Sequence, residues 1–261
     1  MIGFRPVSDN LQESFRVLAA GREHGSIVEL PRVGVVSLGV AFQMFNAAFA
    51  SAPIESVEEL QESLKAARDH FEARNLRWAF WVCEDWLSPA VRRKLSRNCE
   101  ALGLRLSSDL PGLAAHPPRK AGRKLPAIDV VRVAAETVLN DFRAIGCVSF
   151  HVPAAWFGEV FDGSVALNGG FVCWVAYDDG VPVATAATVT SHGVIGLYNI
   201  ATAPDHRRRG YGEAVTRFAI DAAVREHGDL PIVLQSTSAG LRLYGPMGFL
   251  PITRVLVYNS L

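Results

Sequence analysis

Residues 194–212 read Val-Ile-Gly-Leu-Tyr-Asn-Ile-Ala-Thr-Ala-Pro-Asp-His-Arg-Arg-Arg-Gly-Tyr-Gly. An apolar run with strand character ends at Ala201, a short loop containing Pro204 follows, and Arg207, Gly210 and Gly212 lead into a long amphipathic stretch. Where a strand hands over to a helix through glycines and arginines, several backbone N–H groups can converge beside the positive end of the helix dipole. Such a turn is a ready seat for an anion such as a phosphate.

Working outward from this turn, residues 210–227 form the expected helix, with Val215, Phe218, Ala219, Ala222 and Val224 facing a sheet and Gly228 stopping it. Ile232–Gln235 reads as a strand, Ser238–Tyr244 as a short helix broken by Pro246, and Ile252–Tyr258 as a last strand. Upstream lies a meander: Phe171–Tyr177, the turn Asp178-Asp179-Gly180, Val181–Thr190, the turn Ser191-His192-Gly193, and Val194–Ala201. Short connections containing Gly favour antiparallel hairpins, so these three strands should lie side by side. A strand candidate at Ile128–Val133, a helical pattern from Ala134 to about Ile145 and an apolar helix or turn near Pro153–Phe161 precede them.

The first half has a similar order. A helix is expected over Asp9 to about His24, ending near Gly21 or Gly25, then short strands at Ser26–Leu30, Val33–Leu38 and Phe42–Phe49. Ser56 can cap a helix from Val57 to about Arg74, Trp78–Cys83 reads as a buried strand, Pro89 opens a helix ended by Gly103, and Leu104–Leu106 returns as a strand. The shared order suggests a duplication. Yet Ala50-Ser51-Ala52-Pro53-Ile54-Glu55-Ser56 has neither glycine nor cation, so this half cannot cradle a phosphate in the same way. Residues 114–126, with three prolines and four cations and no apolar period, have the composition of a solvated linker. The expected organisation is therefore residues 1–113, a linker over 114–126, and residues 127–261.

A length of 261 residues suits two domains, each able to bury a core. The 26 Lys and Arg balance the 26 Asp and Glu, so no global field draws the protein to nucleic acid or an acidic membrane. Cys83, Cys99, Cys147 and Cys173 are widely spaced in apolar surroundings with no CxxC pair, and read as reduced core thiols without a metal. No stretch approaches the roughly 20 apolar residues of a membrane span, nor does the start of the chain read as a targeting segment, so a cytoplasmic protein is expected.

Arg207-Arg208-Arg209-Gly210-Tyr211-Gly212 fits R-x-x-G-x-G, and Leu243-Tyr244-Gly245-Pro246-Met247-Gly248-Phe249 fits L-Y-x-x-x-G-F. With a strand before the first motif and a helix and strand between the two, residues 127–261 resemble a GCN5-related N-acetyltransferase (GNAT) domain. The first half resembles, more faintly, the degenerate N-terminal copy of tandem members, through Phe45-Asn46 and the helix, Trp-rich strand and helix that follow. The resemblance implies an α/β fold of two GNAT-like domains, each a mixed, mostly antiparallel sheet flanked by helices.

It also implies coenzyme A. Gly210 and Gly212 would let the backbone approach the pyrophosphate, with the N–H groups of residues 207–212 on its oxygens. Arg207 matches the family position, while Arg208 and Arg209 add charge, though three consecutive arginines cannot all face one way. The amide-rich pantetheine arm would pair like a strand against Asn199, Ile200 and Ala201, close to Thr202 and Tyr211, and an N–H at Ile200 or Ala201 would stabilise the oxyanion formed when an amine attacks. Tyr244 stands at the position of the acid that protonates the departing thiolate, whose parent pKa is about 8.5. Two positions depart from the pattern: Gly245-Pro246 ends the short helix at once, and Thr237 stands where many members have an asparagine bonding the arm.

No carboxylate on Gly196-Leu197-Tyr198-Asn199 offers a base, so an amine arriving neutral or a water relay is left. His192 reads as structural, and Asp205 and His206 as contacting solvent or coenzyme. Trp78, Trp81, Trp86, Trp156 and Trp174 read as core or packing residues, with Trp156 and Phe157 otherwise lining an apolar acceptor pocket. The expected activity is transfer of acetyl from acetyl-CoA to a small-molecule or protein amine by direct attack, with a catalytically silent acyl-CoA sensor as the alternative. The N-terminal half would shape the acceptor cleft or supply a homodimer contact.

Overall fold

The computed structural model describes residues 2–20, 22–163, 170–238 and 240–261. They form two compact units, one of Leu113–Leu250 together with Ile2, the other of Gly3–Gly112 and Pro251–Leu261.

In the unit that opens the chain, helix α1 (Phe4–Ala19) precedes strands β1 (Ser26–Leu30), β2 (Val33–Ser37) and β3 (Asn46–Ala50). Helix α2 (Val57–Glu72), β4 (Ala79–Cys83), α3 (Pro89–Glu100) and β5 (Leu104–Ala115) follow. The first helix starts five residues before the expected Asp9, because Pro6 falls in its first turn, where an N–H has no intrahelical partner to lose. It ends at Ala19; Gly21, one of its expected stops, lies outside the described residues. Ser56 caps α2 as expected, its hydroxyl accepting from Glu59 N–H at 3.1 Å. β1–β2 and β2–β3 pair antiparallel and β3–β4 parallel.

The last strand, β11 (Leu250–Ser260), is the main departure. Expected with the C-terminal half, it pairs antiparallel with β4 in register Val255↔Cys83 to Asn259↔Ala79. Ser260 Oγ accepts Trp78 N–H at 2.9 Å, the Tyr258 hydroxyl bonds Ser96 Oγ at 2.9 Å, and Val257 is fully buried. A hydrophobic strand needs an unpaired edge to cover, and β4 supplies it. β5 also runs on well past Leu106, through buried Leu113 to Ala114 and Ala115, which were expected to open the linker and are instead buried core residues.

The other unit contains β6 (Asp129–Arg132), α4 (Glu136–Phe150), α5 (Ala154–Val160), β7 (Val172–Asp178), β8 (Val181–Ser191) and β9 (Val194–Thr202). Helix α6 (Tyr211–His227), β10 (Ile232–Gln235) and α7 (Leu241–Tyr244) complete it. β6, β7, β8 and β9 pair antiparallel in that spatial order and β9 pairs parallel with β10, so β7 to β10 repeat the succession of pairings of β1 to β4, with β6 added at the edge. Helix α6 packs Tyr211, Val215 and Ala219 against Ala176, Val183, Ala184 and Ala186 of the sheet; of the expected sheet face Val215 and Ala219 are buried, whereas Phe218, Ala222 and Val224 are partly buried and Ile220 and Ala223 take the interior.

Residues 116–126, expected to be a solvated linker, are tied to this unit. Arg119 N–H donates to Met247 O at 2.7 Å, and its carbonyl accepts from Arg217 of α6 at 2.7 Å. No helix among the described residues is long and apolar enough to cross a membrane.

Candidate functional site

β9 and β10 pair only at Ile195↔Ile232 and Gly196↔Val233. Beyond these pairs a cavity of about 1000 Å³ opens, with Leu197–Thr202 of β9 on one side and Gln235–Thr237 on the other. A strand edge that loses its partner inside a cavity presents unpaired N–H and C=O groups, which an extended amide-containing ligand can satisfy.

The middle of that edge is bent. Thr185 faces Ala201 and Ala187 faces Tyr198, so two steps along β8 match three along β9, a β-bulge at Asn199–Ile200. Asn199 takes a left-handed φ of 47°, and its carbonyl accepts the Thr185 hydroxyl at 2.9 Å. A bulge turns peptide groups out of the ladder. Here it does so at Ile200, where an oxyanion donor was expected.

At the end of β9 the chain turns through Pro204–His206 into the glycine motif. Arg208 and Gly210 both have positive φ, 63° and 97°, and α6 starts at Tyr211. Gly210 meets the left-handed requirement that a side chain makes costly. Gly212 answers a different need: a Cβ on it would sit 2.9 Å from Thr202 Oγ1, so the helix can approach the strand only without one. Among the described residues the N–H groups of 208–213 find no main-chain acceptor; the first such bond of the turn is Ala214 N–H to Gly210 O at 3.0 Å. Arg207 and Arg208 line the same end of the cavity, and Arg207 Nε also donates to Thr202 O at 3.2 Å. Unpaired amides, a glycine cradle and two guanidiniums fit a diphosphate, and the open edge beyond them fits a pantetheine arm.

Tyr244, at the end of α7, faces this cavity and is 6 % exposed. Its ring packs edge-on against Phe249 at 5.6 Å, and a Cβ on Gly240 would lie 3.0 Å from its Cε2. No hydrogen bond to its hydroxyl is formed among the described residues. Burial pushes the phenol above its ordinary value of 10.0, so at neutral pH it holds its proton. Thr237 lines the cavity, but its hydroxyl accepts Gly240 N–H at 3.2 Å and so serves the turn before α7. That helix begins at Leu241 rather than Ser238; Ala239, within the expected span, lies outside the described residues.

The sequence of residues 169–251 matches the family model described as an acetyltransferase (GNAT) domain. Residues 169–251, about a third of the chain, are thus similar to a GNAT domain. No curated protein matches the sequence. Its fold is similar to that of a GCN5-related N-acetyltransferase from Kribbella flavida, with a TM-score of 0.75, 20% identity, and coverage of 100% of this chain and 96% of that one. A functionally unknown conserved protein from Staphylococcus epidermidis matches at TM-score 0.67 and 11% identity, over 90% and 94% of the two chains. A tandem GNAT protein from the clavulanic acid biosynthesis pathway matches at 0.57 and 11%, over 98% and 93%. These likenesses establish a GNAT-like α/β fold with a mixed sheet. GNAT domains typically use an acyl-coenzyme A.

Of the residues expected at the GNAT site, Asn199, Ile200, Ala201, Thr202, Arg207, Arg208, Gly210, Tyr211, Gly212, Thr237 and Tyr244 all line the cavity. Arg209 does not. In a left-handed turn successive side chains diverge; beside it the Tyr211 hydroxyl donates to Asp178. Asp205 and His206 also stay out of the cavity, His206 packing on the Tyr211 ring at 6.1 Å. His192 sits exposed in the β8–β9 turn with a left-handed φ of 51°, outside the cavity lining.

Phe157, expected on an acceptor pocket, is a core residue. It lies 4.9 Å from Phe161 and 6.4 Å from Phe142, and it fills the space beside Gly146. Neither it nor Trp156 lines the cavity; Phe150, Ser149 and His151 at the end of α4 do. Nothing local marked those three, because it is the Ser149 hydroxyl bond to Thr202 O, at 3.2 Å across 53 residues, that brings the helix end to the site. The single carboxylate on the cavity among the described residues is Glu213, bound to Arg217 at 2.9 Å in the first turn of α6.

In the opening unit the corresponding place is closed. Past the β3–β4 pairs the chains meet again at Ile54↔Leu87, with Ile54 N–H to Trp86 O at 2.8 Å and Ser88 N–H to Ile54 O at 3.1 Å. Ile54 is fully buried there. The absence of glycine and cation in residues 50–56 thus goes with a gap already filled by the protein's own backbone.

Proposed function

We propose that the Leu113–Leu250 unit transfers an acetyl group from acetyl-CoA to a primary amine by direct attack. The observation that carries this reading is that one cavity holds the bulged strand edge, the unpaired amides before α6 and the protonated Tyr244. The diphosphate would rest on N–H groups of residues 208–213 with Arg207 and Arg208 beside it, and the arm would run along Asn199–Ala201. The amine nitrogen attacks the thioester carbonyl carbon, and the oxyanion that forms accepts from a main-chain N–H at the bulge. The C–S bond then breaks, the sulfur takes the Tyr244 proton, and the extra proton that the nitrogen sheds passes through water back to the Tyr244 phenolate, restoring the neutral phenol.

Attack without an acyl-enzyme is supported by what the cavity offers. No cysteine lines it among the described residues, and of its serines Ser149 and Ser236 donate their hydroxyls to the carbonyls of Thr202 and Thr237, leaving the exposed Ser238. Three further features support a descent of both units from one GNAT-like copy: the shared pairing order, the parallel strand pair in each, and the long helix that follows β3 and β9 alike.

The test is release of coenzyme A thiol from acetyl-CoA with a panel of small amines, amino acids and peptides. Turnover on an amine, lost in Tyr244→Phe while acetyl-CoA still binds, supports the transferase. Tight acetyl-CoA binding with no thiol release on any amine identifies a sensor instead.

A further inference from the structure

The glycine turn has a neighbour outside the motif. Arg123 sits in the proline-rich segment 87 residues before Gly210, and its guanidinium lies over the start of α6: a Cβ on Gly210 would be 3.4 Å from Arg123 Nη2 and 3.7 Å from its Cζ. The backbone under it carries the unpaired amides, and Arg123 lines the cavity with Arg207 and Arg208. What holds it there is Glu213. One carboxylate oxygen of Glu213 takes the Arg217 guanidinium at 2.9 Å, and the other faces Arg123 Nη2 at 3.5 Å. The segment itself is anchored by the two Arg119 main-chain bonds, and Pro126 packs 3.0 Å from the same Gly210 position.

Resting on the reading that this cavity takes acetyl-CoA, we infer that Arg123 is a phosphate-binding residue supplied by the segment between the two halves of the chain. Glu213 suits the positive end of the α6 dipole, yet it sets a negative charge beside an incoming diphosphate. Arg217 and Arg123 together offset that charge. The Arg123 side chain is 59% exposed and its ion pair with Glu213 is loose, at 3.5 Å, so its fork can move onto a phosphate oxygen while staying over the amides. Removing Arg123 both deletes an attraction and uncovers Glu213.

The experiment is isothermal titration of the full chain with acetyl-CoA and with S-acetylpantetheine, which has the arm and thioester but no diphosphate, for wild type, Arg123→Gln and Lys124→Gln. Lys124 is the next residue, equally charged, exposed and absent from the cavity lining. The expected result is acetyl-CoA binding about tenfold weaker in Arg123→Gln at low salt, a smaller difference at high salt, unchanged S-acetylpantetheine binding, and wild-type behaviour of Lys124→Gln. Glu213→Gln in the Arg123→Gln background should recover part of the loss. Equal acetyl-CoA affinity in wild type and Arg123→Gln overturns the assignment, as does an equal loss for both ligands or for both variants. Failure of wild type to bind acetyl-CoA overturns the underlying reading as well.

Discussion

If Tyr244 is the proton donor, Tyr244→Phe should separate turnover from stability, because its hydroxyl has no hydrogen-bond partner among the described residues. The ring is 6 % exposed and held by Phe249 and by the small Gly240 beside it, contacts that phenylalanine keeps. No hydrogen bond is broken, so the unfolding free energy should change by less than about 1 kcal/mol. Tyr177→Phe is the internal contrast. Its hydroxyl donates to Asp141 at 2.7 Å, and losing a bond to a charged group should cost about 1.5–3 kcal/mol. Turnover should respond in the opposite sense: Tyr244→Phe removes the proton that the leaving thiolate needs, a loss of about 10²–10⁴ in kcat, or roughly 3–5 kcal/mol of transition-state stabilisation. Thiol release under saturating acetyl-CoA measures the first effect and urea unfolding the second. A kcat within a few-fold of wild type refutes the acid role; destabilisation of about 2 kcal/mol or more refutes the reading of an unpartnered hydroxyl.

The same phenol makes a pH prediction. Its folded pKa is raised above 10.0 by burial, so the neutral form favours the fold. That contribution is whole below pH 10 and is lost as pH rises past it, at up to about 1.4 kcal/mol per pH unit. Stability should therefore fall above pH 10, and less steeply in Tyr244→Phe. Equal slopes for the two proteins would place the phenol outside the desolvated interior.

Gly212→Ala should weaken acetyl-CoA binding and cost about 1–3 kcal/mol of stability, since the new Cβ meets the stiff Thr202 side chain at 2.9 Å; unchanged titration curves would contradict the close approach. Asn46→Ala should destabilise by about 3 kcal/mol or more in urea unfolding, because the fully buried amide serves Gly39 N–H, Val40 O and Arg77 O at once, and a loss under about 1 kcal/mol would deny that network. A maleimide should modify one thiol, Cys147, quickly in the native protein. Cys99 and Cys173 are buried with raised pKa values and Cys83 is pushed up to about 12, so rapid labelling of any of these three would mean an opening that the structure does not contain.

What could be read from the sequence was what neighbouring residues decide. The β7–β8–β9 meander was legible because Asp179-Gly180 and His192-Gly193 each supply two consecutive positive φ values, the geometry of a tight hairpin. Helix α2 was legible from Ser56 and its apolar spacing, and the anion turn from Gly210. Arg123 was read as linker, because its role depends on Glu213, 90 residues on, and on an anchor at Met247 O. The strand after Leu250 was given to the C-terminal half because nothing in Leu-Pro-Ile-Thr-Arg-Val-Leu-Val-Tyr names the edge it will cover. The place of Phe157 just before the meander, where the resemblance puts the acceptor cover, suggests a pocket wall; only the space beside Gly146 shows where the ring goes.

β3 and β9 show how small a difference separates a closed unit from an open one. Each has an antiparallel neighbour on one side and a parallel neighbour on the other. β3 pairs with β2 without interruption from Asn46 to Ala50, and the chain beyond continues far enough in line to meet Leu87 at Ile54. β9 carries one residue more than its partner at Asn199–Ile200, in a left-handed conformation that asparagine tolerates better than most residues. That extra residue adds no reactive side chain. It rotates the backbone out of its ladder at the place where β10 leaves, so amides that would have bonded the protein are left for something else. On the proposed reading, a sheet with the bulge removed would keep its core and its tyrosine yet offer an extended ligand no open edge, so straightening the bulge should abolish acetyl-CoA binding before it touches Tyr244.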